Sequence, residues 1–145
     1  MEILNRQANY NYFVTDTYEA GIVLTGTEIK AIRAGKCHLR DSYAIVKNEE
    51  VFLLNTTISP YEKGNIFNHE ETRTRKLLLN KKEILKLRDK VMIEGFTLIP
   101  LKIYFVKGRA KVLIGVCKGK KNYDKRESIK EKDLARENAR MKKMY

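Results

Sequence analysis

The chain has 145 residues, with 30 Lys and Arg against 18 Asp and Glu, a net charge of +12 and 43% hydrophobic residues. That length suits one domain, able to bury roughly two thirds of its unfolded surface without disulfides or a structural metal. Its two cysteines, Cys37 and Cys117, lie too far apart for a zinc ribbon or a disulfide scaffold, and no apolar run nears the ~20 residues of a membrane span, so an intracellular protein is expected.

The opening stretch sets Arg6, Tyr10, Tyr12 and Phe13 among Asn5, Asn9 and Asn11. Tyr12 and Val14, then Ala20, Ile22 and Leu24, keep a two-residue period that predicts a strand with one row on a core. Phe13 is expected to belong to that core. Thr25 and Glu28 form a capping box for a helix carrying Ile29 and Ile32 on one face, Lys30 and Arg33 on the outer one, and Gly35 as its stop. Ser42 to Val46 and Val51 to Asn55 are short strands around a polar Lys47-Asn48-Glu49-Glu50 turn.

Arg73, Arg75 and Lys76 follow, three cations in four positions that need an anionic neighbour, whether Glu70 and Glu71 or a ligand. Leu77-Leu78-Leu79 read as core. Asn80 and Glu83 make a second box, beyond which Ile84, Leu87 and Val91 take one helix face and Lys82, Lys86 and Lys90 another, up to Gly95. Thr97 to Val106 alternates, with Ile99, Leu101, Ile103 and Phe105 on one side and Lys102 and Tyr104 on the other; Pro100 marks an edge or a bulge. Lys107-Gly108-Arg109 turns the chain into Lys111 to Val116, with Val112, Ile114 and Val116 on one face. Short strands with few, widely separated helices predict a mainly β fold: a small closed β-barrel with two or three flanking helices and a basic C-terminal tail.

Half of the net charge lies in the last fifth of the chain. From Lys118 to Tyr145, 11 Lys and Arg face 5 Asp and Glu, a net of +6. An RNA-binding body over 1–117 and a basic extension over 118–145 are therefore expected. The weak apolar stripe of the extension predicts a helix over about 129–143 that forms only in an anionic cleft and is disordered when free.

Catalytic chemistry finds little support. His38 and His69 lack neighbours at metal-ligand spacing, and no P-loop or dinucleotide-binding glycine pattern occurs. Ser42, His69 and Asp41 form no more than the trio any chain of this size offers. No enzyme activity, metal or cofactor is expected. Cations interleaved with aromatics point instead to RNA, because arginine forks onto phosphate, tyrosine stacks on unpaired bases, and a carboxylate such as Glu28 accepts from a base amine. A ribosome-associated protein with a protein-binding tail and an anionic-membrane peripheral protein are the competing readings; the weak stripe makes a poor membrane anchor.

Several segments, in this order, carry a family pattern. They are Glu19-Ala20-Gly21-Ile22-Val23-Leu24 with Gly26-Thr27-Glu28-Ile29-Lys30; Arg33-Ala34-Gly35-Lys36; Asp41-Ser42-Tyr43-Ala44; Ile58-Ser59-Pro60-Tyr61; Arg73-Thr74-Arg75-Lys76-Leu77-Leu78-Leu79-Asn80; and Gly115-Val116 before Lys118-Gly119-Lys120-Lys121 and Asp124-Lys125-Arg126. Together they resemble the SsrA-binding protein (SmpB) family, which partners transfer-messenger RNA in ribosome rescue. The resemblance implies a barrel of oligonucleotide-binding type, cytoplasmic and monomeric, that binds the tRNA-like domain of that RNA around its D-loop and elbow. It implies delivery to the A site of a stalled ribosome, at the small-subunit decoding region, with the tail entering the empty mRNA channel. It leaves no covalent chemistry to this chain.

Glu28, Leu78 and Asn80 match family positions implicated in RNA contact, and Asp124, Lys125 and Arg126 match the start of the tail motif. Leu134 departs from the tryptophan many relatives carry. The combined RNA-binding set is Arg6, Tyr10, Glu28, Lys30, Arg33, Lys36, Arg73, Arg75, Lys76, Leu78, Asn80, Lys118, Lys120 and Lys121. The expected ribosome-binding tail set is Asp124, Lys125, Arg126, Lys130, Leu134, Arg136, Arg140, Lys142 and Lys143.

Overall fold

A computed structural model describes residues 2–61 and 68–120. Its elements in chain order are β1 (Glu2–Leu4), α1 (Ala8–Asn11), β2 (Tyr12–Ile22), α2 (Gly26–Arg33), β3 (Cys37–His38), β4 (Tyr43–Lys47), β5 (Glu50–Leu54), β6 (Thr57–Ile58), β7 (Arg75–Leu78), α3 (Lys81–Met92), β8 (Thr97–Val106) and β9 (Arg109–Gly119). Lys121 and the whole predicted tail set lie outside the described residues.

Turn chemistry starts the sheet. Asn48 and Glu49 (φ 52° and 58°) join β4 to β5, and Lys107 and Gly108 (φ 50° and 78°) join β8 to β9. Both are two-residue turns with positive φ, whose twist matches that of the flanking strands. The neighbours then run β8-β4-β5-β7-β2-β9, and β9 pairs back onto β8, so the strands close into a ring. All these pairs are antiparallel, and β1 joins β8 along residues 102–104. Closure leaves few unpaired strand edges. The mainly β fold with flanking helices expected from the sequence is the one observed.

Inside the ring lie Ala20, Ile22, Val51, Leu53, Leu77, Leu98, Ile103, Val112, Ile114 and Val116, with Ala31 and Ile32 of α2 and Leu87 of α3 packed onto them. Both capping boxes form. Thr25 Oγ1 and Asn80 Oδ1 accept from the N–H groups of Glu28 and Glu83, whose carboxylates accept in return from the cap N–H groups. Gly35 and Gly95 follow the two helices at φ 75° and 73°, in the left-handed region that favours glycine after a helix end.

Two bulges correct the expected strand faces. In β2 the register shifts between Val14 and Asp16, and in β8 between Pro100 and Lys102. One extra residue turns every later side chain to the opposite face. Tyr12, Val14, Ile99 and Leu101 therefore leave the main core and pack with Ala8 and Cys117 in a second cluster, while Ala20, Ile22, Ile103 and Phe105 keep the main one. Pro100, expected at an edge or a bulge, adjoins the bulge.

Three further expectations change. Phe13, read as core, is 49% exposed, and Leu78 is 52% exposed although Leu77 beside it is buried. The strand period is the reason: β7 alternates buried and exposed, with Arg75 and Leu77 inward and Lys76 and Leu78 outward. Finally, Lys118 and Gly119 remain in β9 opposite Phe13 and Tyr12, and the Lys120 N–H donates to the Asn11 carbonyl at 2.8 Å. The body therefore continues to Lys120 instead of ending at 117.

Candidate nucleic-acid interface

The centre of the site is a buried carboxylate at the start of α2. The capping box holds Glu28 in place: its Oε1 accepts from the Thr25 N–H at 2.8 Å. Glu28 has no exposed surface, and neither has Arg75. Arg75 Nε donates to Glu28 Oε2 at 2.5 Å and its Nη1 to the Thr56 carbonyl at 2.7 Å. Its Nη2 donates to the carbonyls of Glu70 and Glu71 at 3.3 and 3.1 Å. Every nitrogen of Arg75 is engaged inside the protein. Arg75 and Glu28, both in the predicted RNA-binding set, thus lie wholly inside the protein, and the anionic neighbour that the cation cluster requires is Glu28.

Arg73 shares the same carboxylate but reaches the surface. Its Nη2 donates to Glu28 Oε1 at 2.6 Å and to the Val23 carbonyl at 3.3 Å, while its side chain keeps 34% exposure. Its Nε is buried without a partner. Burial pushes the Glu28 carboxyl up, but hydrogen bonds from Arg73, Thr25 and Arg75 outweigh that effect and hold its pKa down at about 2. Two guanidiniums on one carboxylate leave a net positive charge, and it emerges at Arg73. A guanidinium fixed in this way loses little side-chain entropy on meeting a phosphate.

Beside Arg73 the surface becomes apolar. Val23 is 45% exposed next to Leu78, and both line a shallow groove with Gly21, Ile29, Arg109 and Lys111. The Val23 N–H donates to the Lys76 carbonyl at 3.0 Å, which ties the strand end to β7. A Cβ on Gly21 would lie 3.3 Å from Leu78 Cβ, so glycine there relieves crowding under the leucine. Leu78, Val23, Arg73, Arg109 and Lys111 thus offer apolar contact surrounded by cations. Val23, Arg109 and Lys111 were not among the predicted site residues; the pairing of Val23 with β7, of Lys111 with β2 and of Arg109 with β8 brings them in.

The other predicted residues spread around the body. Lys76 is exposed and paired with Glu50 at 3.1 Å, and exposed Asn80 caps α3. Lys30 lies over the Tyr61 ring at 5.5 Å and Arg33 over Phe105 at 4.6 Å, both exposed on α2, with Lys36 exposed just beyond. Arg6 is exposed and Tyr10 half-buried at the opening helix α1. Lys118 stands near the opposite end of β9 from Lys111, about 24 Å away at ~3.4 Å per residue, with Lys120 just past the strand end.

The conceivable catalytic trio is not assembled. His69 Nε2 donates to the Ile58 carbonyl at 2.8 Å, leaving Nδ1 to accept from Thr27 Oγ1 at 2.9 Å. Ser42 Oγ instead donates to the Asn55 carbonyl at 3.2 Å. Burial pushes the Cys37 thiol up to about 12 and the Cys117 thiol to about 11, away from nucleophilic thiolate. Among the described residues no group of three His, Cys, Asp or Glu is placed to hold a metal, and no helix is long and apolar enough to cross a membrane.

Comparison with known proteins adds a consistent picture. The family model described as SmpB protein matches residues 2–144. An SsrA-binding protein of Shouchella clausii is 59% identical over 133 residues, covering 92% of this chain and 85% of the relative. That of Bacillus subtilis is 57% identical over 133 residues with the same coverage. The SsrA-binding protein of Staphylococcus aureus is 56% identical over 142 residues, 97% of this chain and 92% of its own. A solved chain described as "tmRNA-SmpB: a journey to the center of the bacterial ribosome" superposes with a TM-score of 0.71 at 46% identity, over 88% of this chain and 94% of that one.

Proposed function

This chain belongs to the SmpB family, and we propose that it binds the tRNA-like domain of transfer-messenger RNA and delivers it to the A site of stalled ribosomes. The observation that carries the contact face is Arg73, anchored on buried Glu28 and set beside exposed Leu78 and Val23. Arg73 engages a phosphate; Leu78 and Val23 pack on a sugar or base edge; Arg109 and Lys111 add phosphate contacts. Glu28 and Arg75 act from inside as positioning residues. Asn80, Lys76, Lys30, Arg33 and Lys36, exposed elsewhere on the body, are available for further RNA contacts.

The chain's contribution is shape and charge. It supplies volume and contacts to an RNA lacking a full anticodon arm, and its lysines and arginines draw two polyanions together. The segment 121–145 acts as a separate arm whose helix forms in a vacant mRNA channel, through Asp124, Lys125, Arg126, Lys130, Leu134, Arg136, Arg140, Lys142 and Lys143. Bond making is left to other components, and the protein works in the cytoplasm.

Recovery of the tagged protein from a bacterial lysate, followed by sequencing of bound RNA, tests this reading. Enrichment of transfer-messenger RNA over ribosomal fragments is the expected outcome; recovery without any structured RNA contradicts it.

A further inference from the structure

The capping box of α2 is one arc of a longer hydrogen-bonded circuit, and His69 closes it. His69 Nε2 stands 2.8 Å from the Ile58 carbonyl and Nδ1 stands 2.9 Å from Thr27 Oγ1. A carbonyl oxygen only accepts, so Nε2 carries the proton and Nδ1 of the neutral ring accepts from the threonine. Thr27 Oγ1 lies 3.3 Å from Thr25 Oγ1, which accepts from the Glu28 N–H at 3.3 Å. With each hydroxyl donating once, the chain runs in one direction from the Glu28 amide through Thr25, Thr27 and His69 to Ile58.

The return path passes beneath Arg73. The Ile58 N–H donates to the Glu71 carbonyl at 2.9 Å. That carbonyl also accepts from Arg75 Nη2 at 3.1 Å, and Arg75 Nε donates to Glu28 Oε2 at 2.5 Å, which completes the circuit. It joins the first turn of α2, β6 and the turn over residues 70–73. Arg73 ends that turn: its N–H donates to the Glu70 carbonyl at 3.4 Å, and its side chain reaches back to Glu28. His69 and Arg73, four residues apart, therefore tie the two ends of one short segment to Thr27 and Glu28, neighbours on α2. Asn68 steadies the approach to the ring. Its amide donates to the Tyr61 carbonyl at 2.8 Å, and its Oδ1 accepts from the N–H groups of Tyr61 and His69, each at 3.2 Å.

We propose that His69 is a positioning residue for RNA recognition: by closing this circuit it holds the turn that presents Arg73, so that the guanidinium meets a phosphate already ordered. Both ring nitrogens are used inside the protein, so His69 acts through Arg73 and touches no RNA itself. Removing the ring takes one donor from the Ile58 carbonyl and the acceptor from Thr27, and releases the turn at its first end. Arg73 would keep its bonds to Glu28 and Val23 but make them from a looser backbone, and ordering that backbone would then oppose binding. The nature of the RNA rests on the proposed function; the ordering of Arg73 does not, and the two are read separately.

NMR of the full, RNA-free chain follows the Nε–H signals of Arg73 and Arg75. His69→Ala and Thr27→Val are each expected to speed solvent exchange of the buried Arg73 Nε–H about tenfold, while Thr27→Ser, which keeps the hydroxyl, holds the wild-type rate within about twofold. The Arg75 Nε–H, bonded to Glu28 in the interior, serves as the unchanged control. Titration with the isolated tRNA-like domain gives the second readout. His69→Ala should weaken it about fivefold, roughly the worth of one hydrogen bond, with Thr27→Ser again close to wild type. Added to Arg73→Ala, His69→Ala should cost nothing further, whereas a general loosening of the fold would add its own loss. Thermal melts establish that each variant is folded at the working temperature. Wild-type exchange of Arg73 in both His69→Ala and Thr27→Val, or full additivity with Arg73→Ala, would overturn the positioning role. A wild type that ignores the tRNA-like domain, with faster Arg73 exchange in His69→Ala, would uphold that role and refute the proposed function.

Discussion

The two ends of the β2–β9 pair present positive charge in opposite ways. At the α2–β7 end an arginine is locked onto a buried carboxylate, which is itself fixed by a helix cap and a second, wholly interior arginine. At the far rim, lysines on long stems lie over partly exposed rings. The first arrangement pre-pays the ordering of one guanidinium and suits recognition of a single folded surface. The second rests its cations on ring faces, with no buried carboxylate beneath them among the described residues. Rigidity therefore depends on what lies beneath a charge, and the number of surface cations does not reveal it.

The sharpest way to break this contrast is at its buried base. Glu28→Gln leaves Arg75 without its anionic partner inside the protein and is expected to cost about 3–5 kcal/mol of stability. Chemical denaturation measures it; a loss below 1 kcal/mol would mean that the carboxylate does not organise this end.

Acid probes the same pair. The folded-state pKa of Glu28, about 2, lies below its ordinary value of 4.5. Its stabilisation is thus complete above pH 4.5 and lost as pH falls toward 2, on the order of 3 kcal/mol in all. Denaturation midpoints followed from pH 6 to pH 2 should fall more steeply in the wild type than in Glu28→Gln. Parallel curves would contradict the assignment.

At the surface the effects move from stability to binding. Arg73→Ala should weaken the tRNA-like domain by tenfold or more. Leu78→Ala should weaken it by a few-fold and alter stability by less than about 0.5 kcal/mol, because the side chain is already half exposed. Titration of the RNA with each variant separates the two; a larger effect from Leu78 than from Arg73 would place apolar packing ahead of the anchored charge.

Much of the fold was legible because its signals are local. Thr25 with Glu28, Asn80 with Glu83, and the turns at Asn48-Glu49 and Lys107-Gly108 each act within four residues. What escaped depended on register. Tyr12, Val14, Ala20 and Ile22 all fall on even positions and read as one face until the bulge after Val14 divides them. Pro100 signalled the bulge in β8, but not that Ile99 and Leu101 would move to the second cluster.

The candidate site was legible in membership and less so in role. Arg73, Leu78 and Glu28 were singled out, yet Arg75 was counted among surface cations. Alternation alone points it inward, since it stands two positions before buried Leu77. Its acceptors, Thr56, Glu70 and Glu71, come from loops whose approach no local pattern encodes. Phe13 was misassigned for a similar reason: aromatic residues usually fill cores, and only pairing with Lys118 at the rim reveals its exposure.

The central claim is that Arg73, held by Glu28, meets a phosphate of the tRNA-like domain. Affinity for that isolated RNA, measured against salt for wild type and Arg73→Ala, tests it most directly. A loss of tenfold or more, with the log–log salt slope reduced by about one, is the predicted result. Equal affinity and an unchanged slope would contradict it.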